Sequence, residues 1–283
     1  MTCRADFHTH STASDGALTP TQLVDLAASR SVRILALTDH DSVEGVAEAQ
    51  RAAASHPGFT LIPGVEMGTD IPGAEVHILG YFLDHENREL LVALQRLRDA
   101  RRRRGQRMVE KLRAMGYDIS WEHVQKLAGE GAVGRPHVAE ALLEKGYIAN
   151  VTQAFNGLIG RNDPAYAERQ KMTPKEAVEI IVRLGGVAVL GHPGDLNDLD
   201  DLLIELKAAG LTGMEVYYQD YDEPTIQRLR ETARRHDLFP LGGSDYHGIY
   251  GERERLPGEV PIPDEAIESF IALAQRLASA QKP

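Results

Sequence analysis

The strongest constraint on this chain is an alternation. Short apolar runs at 5–8, 34–38, 61–66, 76–81, 187–190, 213–217 and 239–243 are separated, over most of the chain, by helical patterns. Runs of that length, bounded by turn residues, are strands rather than pieces of helix. Two helix starts are written out in full. Thr19-Pro20-Thr21-Gln22 and Thr173-Pro174-Lys175-Glu176 each supply a capping hydroxyl, a proline where no N–H is needed, and a Gln or Glu that reaches back to the cap. Leu23, Leu26 and Ala27 then share one apolar face, and Ser42 is the expected cap of the next helix. Repeated strand–helix units predict parallel strands joined by right-handed crossovers. Seven strands suit an α/β fold in the form of a closed or nearly closed barrel, and 283 residues suffice for that barrel with an insertion.

The rhythm breaks between 86 and 171, where helical patterns run on without a convincing strand. Helices are predicted over 89–115, 121–128 and 137–145, with Gly116 and Gly146 as stops. The expected organisation is a barrel from 1–85 and 172–283, carrying 86–171 as a small all-helical cap. Charge separates the two parts: the insertion is +5 and the remainder −16, for a net −11. A chain this acidic is not expected to hold duplex DNA through bulk charge. Cys3 is the single cysteine, so no internal disulfide is possible and a reducing, cytoplasmic setting is expected. The N-terminal stretch lacks a signal-like apolar core, and no apolar run is long enough for a membrane span. Nothing in the sequence calls for an obligatory protein partner.

The informative residues stand where the strands end. His8-Thr9-His10 follows the first strand, with Asp15 five residues on. Asp39-His40-Asp41 follows the second, Glu66 ends the third, and His77 lies in the fourth. Gly191-His192-Pro193 follows the fifth, and Ser244-Asp245-Tyr246-His247 the seventh. In a parallel barrel these ends share one rim, so residues from 8 to 247 become neighbours. The set is imidazole and carboxylate with no thiolate, which suits Zn²⁺, Mn²⁺ or Fe²⁺. Two side chains spaced two apart on an extended strand point the same way and can reach one ion. The nine candidates, His8, His10, Asp15, His40, Glu66, His77, His192, Asp245 and His247, exceed one tetrahedral site and suit two or three ions sharing carboxylates. His56, His85, His123 and His236 fall on loops or helices and are read as ordinary histidines. Asp39 and Asp41 are either helix caps or partners that orient a histidine.

Taken in order, His8-Thr9-His10, Asp15, Thr38-Asp39-His40, Gly64-Val65-Glu66, Gly191-His192-Pro193 and Ser244-Asp245-Tyr246-His247 resemble the PHP (polymerase and histidinol phosphatase) family. The helical insertion resembles its nucleotide-active branch, which includes 3′,5′-nucleoside bisphosphate phosphatases and 5′-to-3′ exoribonucleases. The resemblance implies a distorted seven-stranded β/α barrel with three metal ions, commonly Mn²⁺, with Fe²⁺ or Zn²⁺ as alternatives. Carried over by position, His8, His10, Glu66 and Asp245 hold the first ion. Glu66 bridges to a second ion held by His77 and His192, and Asp15, His40 and His247 hold the third. Glu66, Asp245 and His192 are then expected at the catalytic centre, and no ligand position is replaced.

Clustered divalent ions suit phosphate esters, because they neutralise phosphate oxygens, bring a water's pKa from about 15.7 towards about 7, and align attacking and leaving oxygens. The basic insertion can bind what the ions do not. Arg135 and Lys171 are the expected ligands of a second phosphate, followed by Arg161 and Arg169. The contiguous run Arg101–Arg104 points all round a helix and is read as mostly solvated surface with a minor role in attracting RNA ends. His137 is a packed or capping histidine before it is a proton donor. Tyr217 and Tyr218 either stack on a base or pack. The expected activity is removal of the 3′-phosphate from a 3′,5′-nucleoside bisphosphate such as pAp, giving a 5′-mononucleotide, with short RNA degraded from its 5′ end as an extension. A small-metabolite monophosphatase resembling histidinol phosphatase is the second reading. A non-catalytic metal-stabilised module and a C–N hydrolase are further ones.

Overall fold

The computed structural model describes residues 3–129, 131–168, 172–251 and 254–280. Seven strands form one sheet in chain order: β1 (Ala5–Asp6), β2 (Ile34–Leu37), β3 (Thr60–Ile71), β4 (Ala74–Tyr81), β5 (Val187–Gly191), β6 (Gly213–Tyr218) and β7 (Phe239–Gly243). Beyond β7 the chain returns to the extension of β1. Phe7 donates its N–H to Gly242 at 3.3 Å, Asp245 donates to His8 at 2.8 Å, and Thr9 bridges Tyr246, so the barrel closes.

The expectation of uniformly parallel strands needs correcting. β4 runs antiparallel to both β3 and β5, and the other pairs are parallel. The cause is local. Only Pro72-Gly73 separates β3 from β4, and Gly73 sits at φ +85°. Proline followed by a glycine at positive φ makes a tight turn that reverses the chain, whereas a parallel return needs a dozen or more residues. β3 also continues through Pro63-Gly64 as one strand of 12 residues. A side chain at Gly64 would lie 3.0 Å from the Leu37 carbonyl and 3.1 Å from that of Gly80. The glycine therefore lets both neighbouring strands approach.

Helices α1 (Pro20–Ser29) and α2 (Val46–Ala53) cover the first strands, and α7 (Pro174–Arg183), α8 (Leu199–Ala209), α9 (Glu223–Arg235) and α10 (Asp264–Ala280) the later ones. Both Thr-Pro capping boxes form as expected. Ser42 does not cap α2, whose N-cap is Gly45. Between β4 and α7 lie α3 (Arg88–Ala114), α4 (Trp121–Ala128), α5 (Arg135–Glu144) and the short α6 (Val151–Phe155), which the sequence pattern did not reveal. One helix serves two cores. Leu90, Leu94 and Leu97 of α3 join the barrel core, whereas Met108, Val109 and Leu112 pack with Val124, Val138 and Leu142 in a separate apolar cluster. Among the described residues no helix is long and apolar enough to cross a membrane.

Candidate active site

The rim gathers all nine strand-end candidates. Glu66 of β3 is fully buried at the centre. One of its oxygens lies 3.3 Å from His8 Nε2, 3.2 Å from His10 Nε2 and 2.8 Å from His40 Nδ1. The other lies 2.5 Å from His77 Nδ1 and 3.2 Å from His192 Nε2, and those two rings approach to 3.0 Å. Asp245 Oδ1 sits 3.1 Å from His8 and 2.9 Å from His10. Asp15 faces His247 at 3.5 Å and His40 at 3.9 Å. Three overlapping groups therefore present ligand atoms to a common point: His8, His10, Glu66 and Asp245; His10, Asp15, His40 and His247; and His40, Glu66 and His77.

Local structure explains why these side chains converge. Asp6, buried in β1, accepts the N–H groups of His8, Ser244 and Gly258 at 3.0–3.2 Å and so ties the two chain segments that meet at the barrel seam. Burial outweighs those bonds and raises its pKa. Asp39 collects the Ser11 N–H and the hydroxyls of Ser11 and Ser14, all at 2.7 Å, and thereby shapes the loop from His10 to Asp15. A side chain at Gly243 would lie 2.5 Å from His8 N and Cβ, so only glycine lets the seam close there. His192, Asp245 and Asp41 have φ of +27°, +51° and +51°. Non-glycine residues in this region cluster at functional sites, where surrounding contacts hold them.

The electrostatics follow from burial against neighbours. Burial alone would raise the carboxyls of Asp15, Glu66 and Asp245, but the surrounding imidazoles outweigh it and hold them below the usual range. Burial disfavours a charged His77, yet Glu66 and Glu75 raise it to about 9. Asp245 and Asp15 likewise raise His247 to about 10. For His40 burial wins, and its pKa falls to about 4. His8 Nε2, His10 Nδ1, Asp15 Oδ1, His40 Nδ1, Glu66 Oε2 and His77 Nε2 are buried with no directed hydrogen bond. Buried polar atoms are normally satisfied. Close-set acceptors of this kind fit divalent cations.

A cavity of about 160 Å³ opens over this cluster. Its opposite wall is cationic. Arg135, at the start of α5, donates to Glu75 Oε2 at 2.7 Å and lies over the Phe155 ring at 5.3 Å. Arg104 of α3 donates to Glu75 Oε1 at 3.3 Å, and Arg101 pairs with the buried Asp41. This corrects the solvated reading of the arginine run. Arg102 and Arg103 are exposed, but Arg101 and Arg104 are 4% and 2% exposed and line the cavity. Their spacing of three was the available signal, because residues at i and i+3 share a helix face.

Arg161 is bonded to Asp70 at 3.0 Å and is not among the cavity-lining residues. Arg169 and Lys171 lie outside the described residues. His137 Nδ1 accepts the Gly134 N–H at 2.9 Å, as a capping histidine does. His56, His123 and His236 each face one exposed carboxylate at 2.6–2.7 Å. Tyr218 lines the cavity and donates to Asp245 Oδ2 at 2.7 Å. Tyr217 does not line this cavity; it is buried, 7% exposed, beside Arg230 and Phe239. Glu215 was missed altogether. It is fully buried in β6, holds His8 Nδ1 with both oxygens at 3.1 and 3.2 Å, and accepts the His192 N–H at 2.8 Å. A carboxylate inside an otherwise apolar strand was the mark that could have revealed it.

Several known proteins are similar to this chain. The 3′,5′-nucleoside bisphosphate phosphatase of Chromobacterium violaceum is 34% identical over 86% of this chain and 86% of its own. The 5′-3′ exoribonuclease of Haemophilus influenzae is 35% identical over 87% and 91%. The phosphoribosyl 1,2-cyclic phosphate 1,2-diphosphodiesterase of Eggerthella lenta is 32% identical over 90% and 98%. Among solved structures, a Chromobacterium violaceum protein described as an amidohydrolase, with bound sulfate and no metal, superposes with a TM-score of 0.88 at 32% identity, over 95% of this chain and 96% of that one. A Bifidobacterium adolescentis protein assigned as a metal-dependent phosphoesterase gives 0.86 at 31%, over 95% of both chains. The PHP domain profile matches residues 6–189, from β1 through the insertion into β5. With that match and these relatives, the chain belongs to the PHP domain family.

Proposed function

We propose that this protein hydrolyses a phosphate ester of a nucleotide that carries two phosphates, a 3′,5′-nucleoside bisphosphate, and releases the 3′-phosphate. It is a metal-dependent phosphoesterase. The observation that carries this reading is one cavity with two unlike walls: the imidazole–carboxylate cluster on one side and Arg101, Arg104 and Arg135 on the other. One phosphate belongs against each. The names of the Chromobacterium and Haemophilus relatives support a nucleotide or RNA substrate.

His8, His10, Glu66 and Asp245 would hold one ion, Glu66 with His77 and His192 a second, and Asp15, His40 and His247 a third, with Mn²⁺ the preferred occupant. Bound there, such ions supply charge neutralisation and an activated water at neutral pH. The chain's own residues do the rest. Glu215 fixes the His8 ring and the His192 backbone. Glu75 holds Arg104 and Arg135 side by side at the cavity wall, and guanidinium groups suit a phosphate there. The α5 N-terminus behind Arg135 adds favourable N–H groups. Residues 86–171 act as the substrate cap, and Lys171 is assigned to the same phosphate as Arg135.

The test is phosphate release from pAp, from a dinucleotide and from histidinol phosphate, with Mn²⁺ and with chelator. The highest kcat/KM should fall on pAp, activity should vanish with chelator, and Mn²⁺ should restore it. A higher kcat/KM on histidinol phosphate would refute the substrate assignment. Activity that persists in chelator would refute the metal chemistry. The arginine wall also favours a phosphate ester over a neutral amide, because a guanidinium-lined cavity suits an anion.

A further inference from the structure

We propose that Tyr218 is a positioning residue for Asp245, set in place by a bulge in β6, and that its hydroxyl decides which carboxylate oxygen Asp245 turns towards the histidines. The inference rests on reading the cluster as a divalent-cation site.

Gly213, Met214 and Glu215 of β6 pair with Phe239, Pro240 and Leu241 of β7, after which Tyr217 and Tyr218 pair with Gly242 and Gly243. Val216 has no partner, so β6 carries one extra residue. In a regular strand residues two apart share a face, so Glu215 and Tyr217 would look the same way and Tyr218 the other. An inserted residue reverses that phase, and bulges beside active sites re-aim side chains in this manner. Glu215 and Tyr218, three apart, both face the cluster, and Tyr217 does not line its cavity.

The backbone of Asp245 is held at both ends. Its N–H donates to His8 O at 2.8 Å, and its carbonyl accepts from His247 Nδ1 at 2.8 Å. Neither bond sets the rotation of the carboxylate, a broad sp³–sp² torsion. Tyr218 sets it. A phenol O–H donates and an ionised carboxylate only accepts, so the 2.7 Å bond to Oδ2 has one sense. With Oδ2 held, Oδ1 faces His8 and His10. The phenol cannot swing away, because its ring is flanked by His192 and Tyr221 at 5.4 and 5.1 Å. Tyr221 is itself anchored, accepting the Gly194 N–H at 2.6 Å. The bulge thus gives Asp245 a single presented oxygen, and partners that orient a ligand in this way typically alter metal affinity by about 10- to 100-fold.

The test is Mn²⁺ titration of metal-stripped protein, with free Mn²⁺ read by electron paramagnetic resonance. Tyr218→Phe should retain the wild-type circular dichroism and weaken at least one bound Mn²⁺ by about 10- to 100-fold. Tyr217→Phe should match wild type. In an Asp245→Ala background, Tyr218→Phe should cause no further weakening, because the residue through which it acts is gone. This second comparison also separates positioning from a general loss of structure, which would weaken binding in both backgrounds. If wild type binds Mn²⁺ and Tyr218→Phe binds it equally tightly, the positioning role falls and the metal reading stands. If wild type binds none, both fall.

Discussion

Arg135→Ala isolates the recognition step. The Arg135 guanidinium lines the cavity with its side chain 21% exposed, so a phosphate placed against it meets a largely desolvated cation. A hydrogen bond to a charged group contributes about 1.5–3 kcal/mol net. At about 1.4 kcal/mol per tenfold, losing that interaction should raise KM for a 3′,5′-nucleoside bisphosphate by about 10- to 150-fold. A nucleotide with one phosphate, seated on the metal side, should lose less than about twofold, since it never reaches Arg135. Glu75 sharpens the expectation. It accepts from Arg135 at 2.7 Å and Arg104 at 3.3 Å, so removing Arg135 leaves its charge facing the incoming phosphate with one cation fewer. Arg135→Ala/Glu75→Gln should therefore recover part of the loss. The assay is steady-state phosphate release at saturating Mn²⁺ on both substrates. Equal losses on the two substrates would refute the assignment of Arg135 to the second phosphate.

Arg101→Ala removes one charged partner of the buried Asp41, where both side chains are at most 4% exposed, and should cost up to about 3–5 kcal/mol in denaturant unfolding. Arg101→Met/Asp41→Asn, which removes both charges, should cost less. Gly243→Ala would set a methyl 2.5 Å from His8 backbone and Cβ, and should lower both melting temperature and Mn²⁺ affinity together. In metal-free protein, His77 and His247 have pKa values raised to about 9 and about 10. The stability their protons contribute is full below their unfolded value of about 6.5 and is lost as pH rises to 9 or 10. Melting temperature in chelator should thus fall between pH 6.5 and 10. With Mn²⁺ present it should rise over the lower part of that range, because ions bind neutral imidazole. A flat profile in chelator would contradict those raised values.

Much of the site was legible because strand ends are local features. The motifs His8-Thr9-His10, Asp39-His40-Asp41, Gly191-His192-Pro193 and Ser244-Asp245-Tyr246-His247 each declare themselves in a few residues, and barrel topology alone brings strand ends to one rim. The same holds for the two Thr-Pro capping boxes, which depend on four consecutive residues. The direction of β4 was not legible from the strand–helix alternation, because it depends on a two-residue turn, Pro72-Gly73, that no helix follows. Arg101 and Arg104 were missed because a contiguous run hides a spacing of three, and burial depends on what packs against that helix face.

The sequence by itself determined most of the elements, the candidate ligand types and their order along the chain, since propensity, capping and periodicity act within a few residues. Only the tertiary structure decided which groups lie behind the ligands. Glu215 belongs to His8 across 207 residues, Tyr218 to Asp245 through an unpaired Val216, and Glu75 to arginines on two helices of the insertion. Those relations depend on register, a bulge and the packing of α3 against the barrel. Each is settled by contacts between segments far apart in the chain, and no local pattern encodes such contacts.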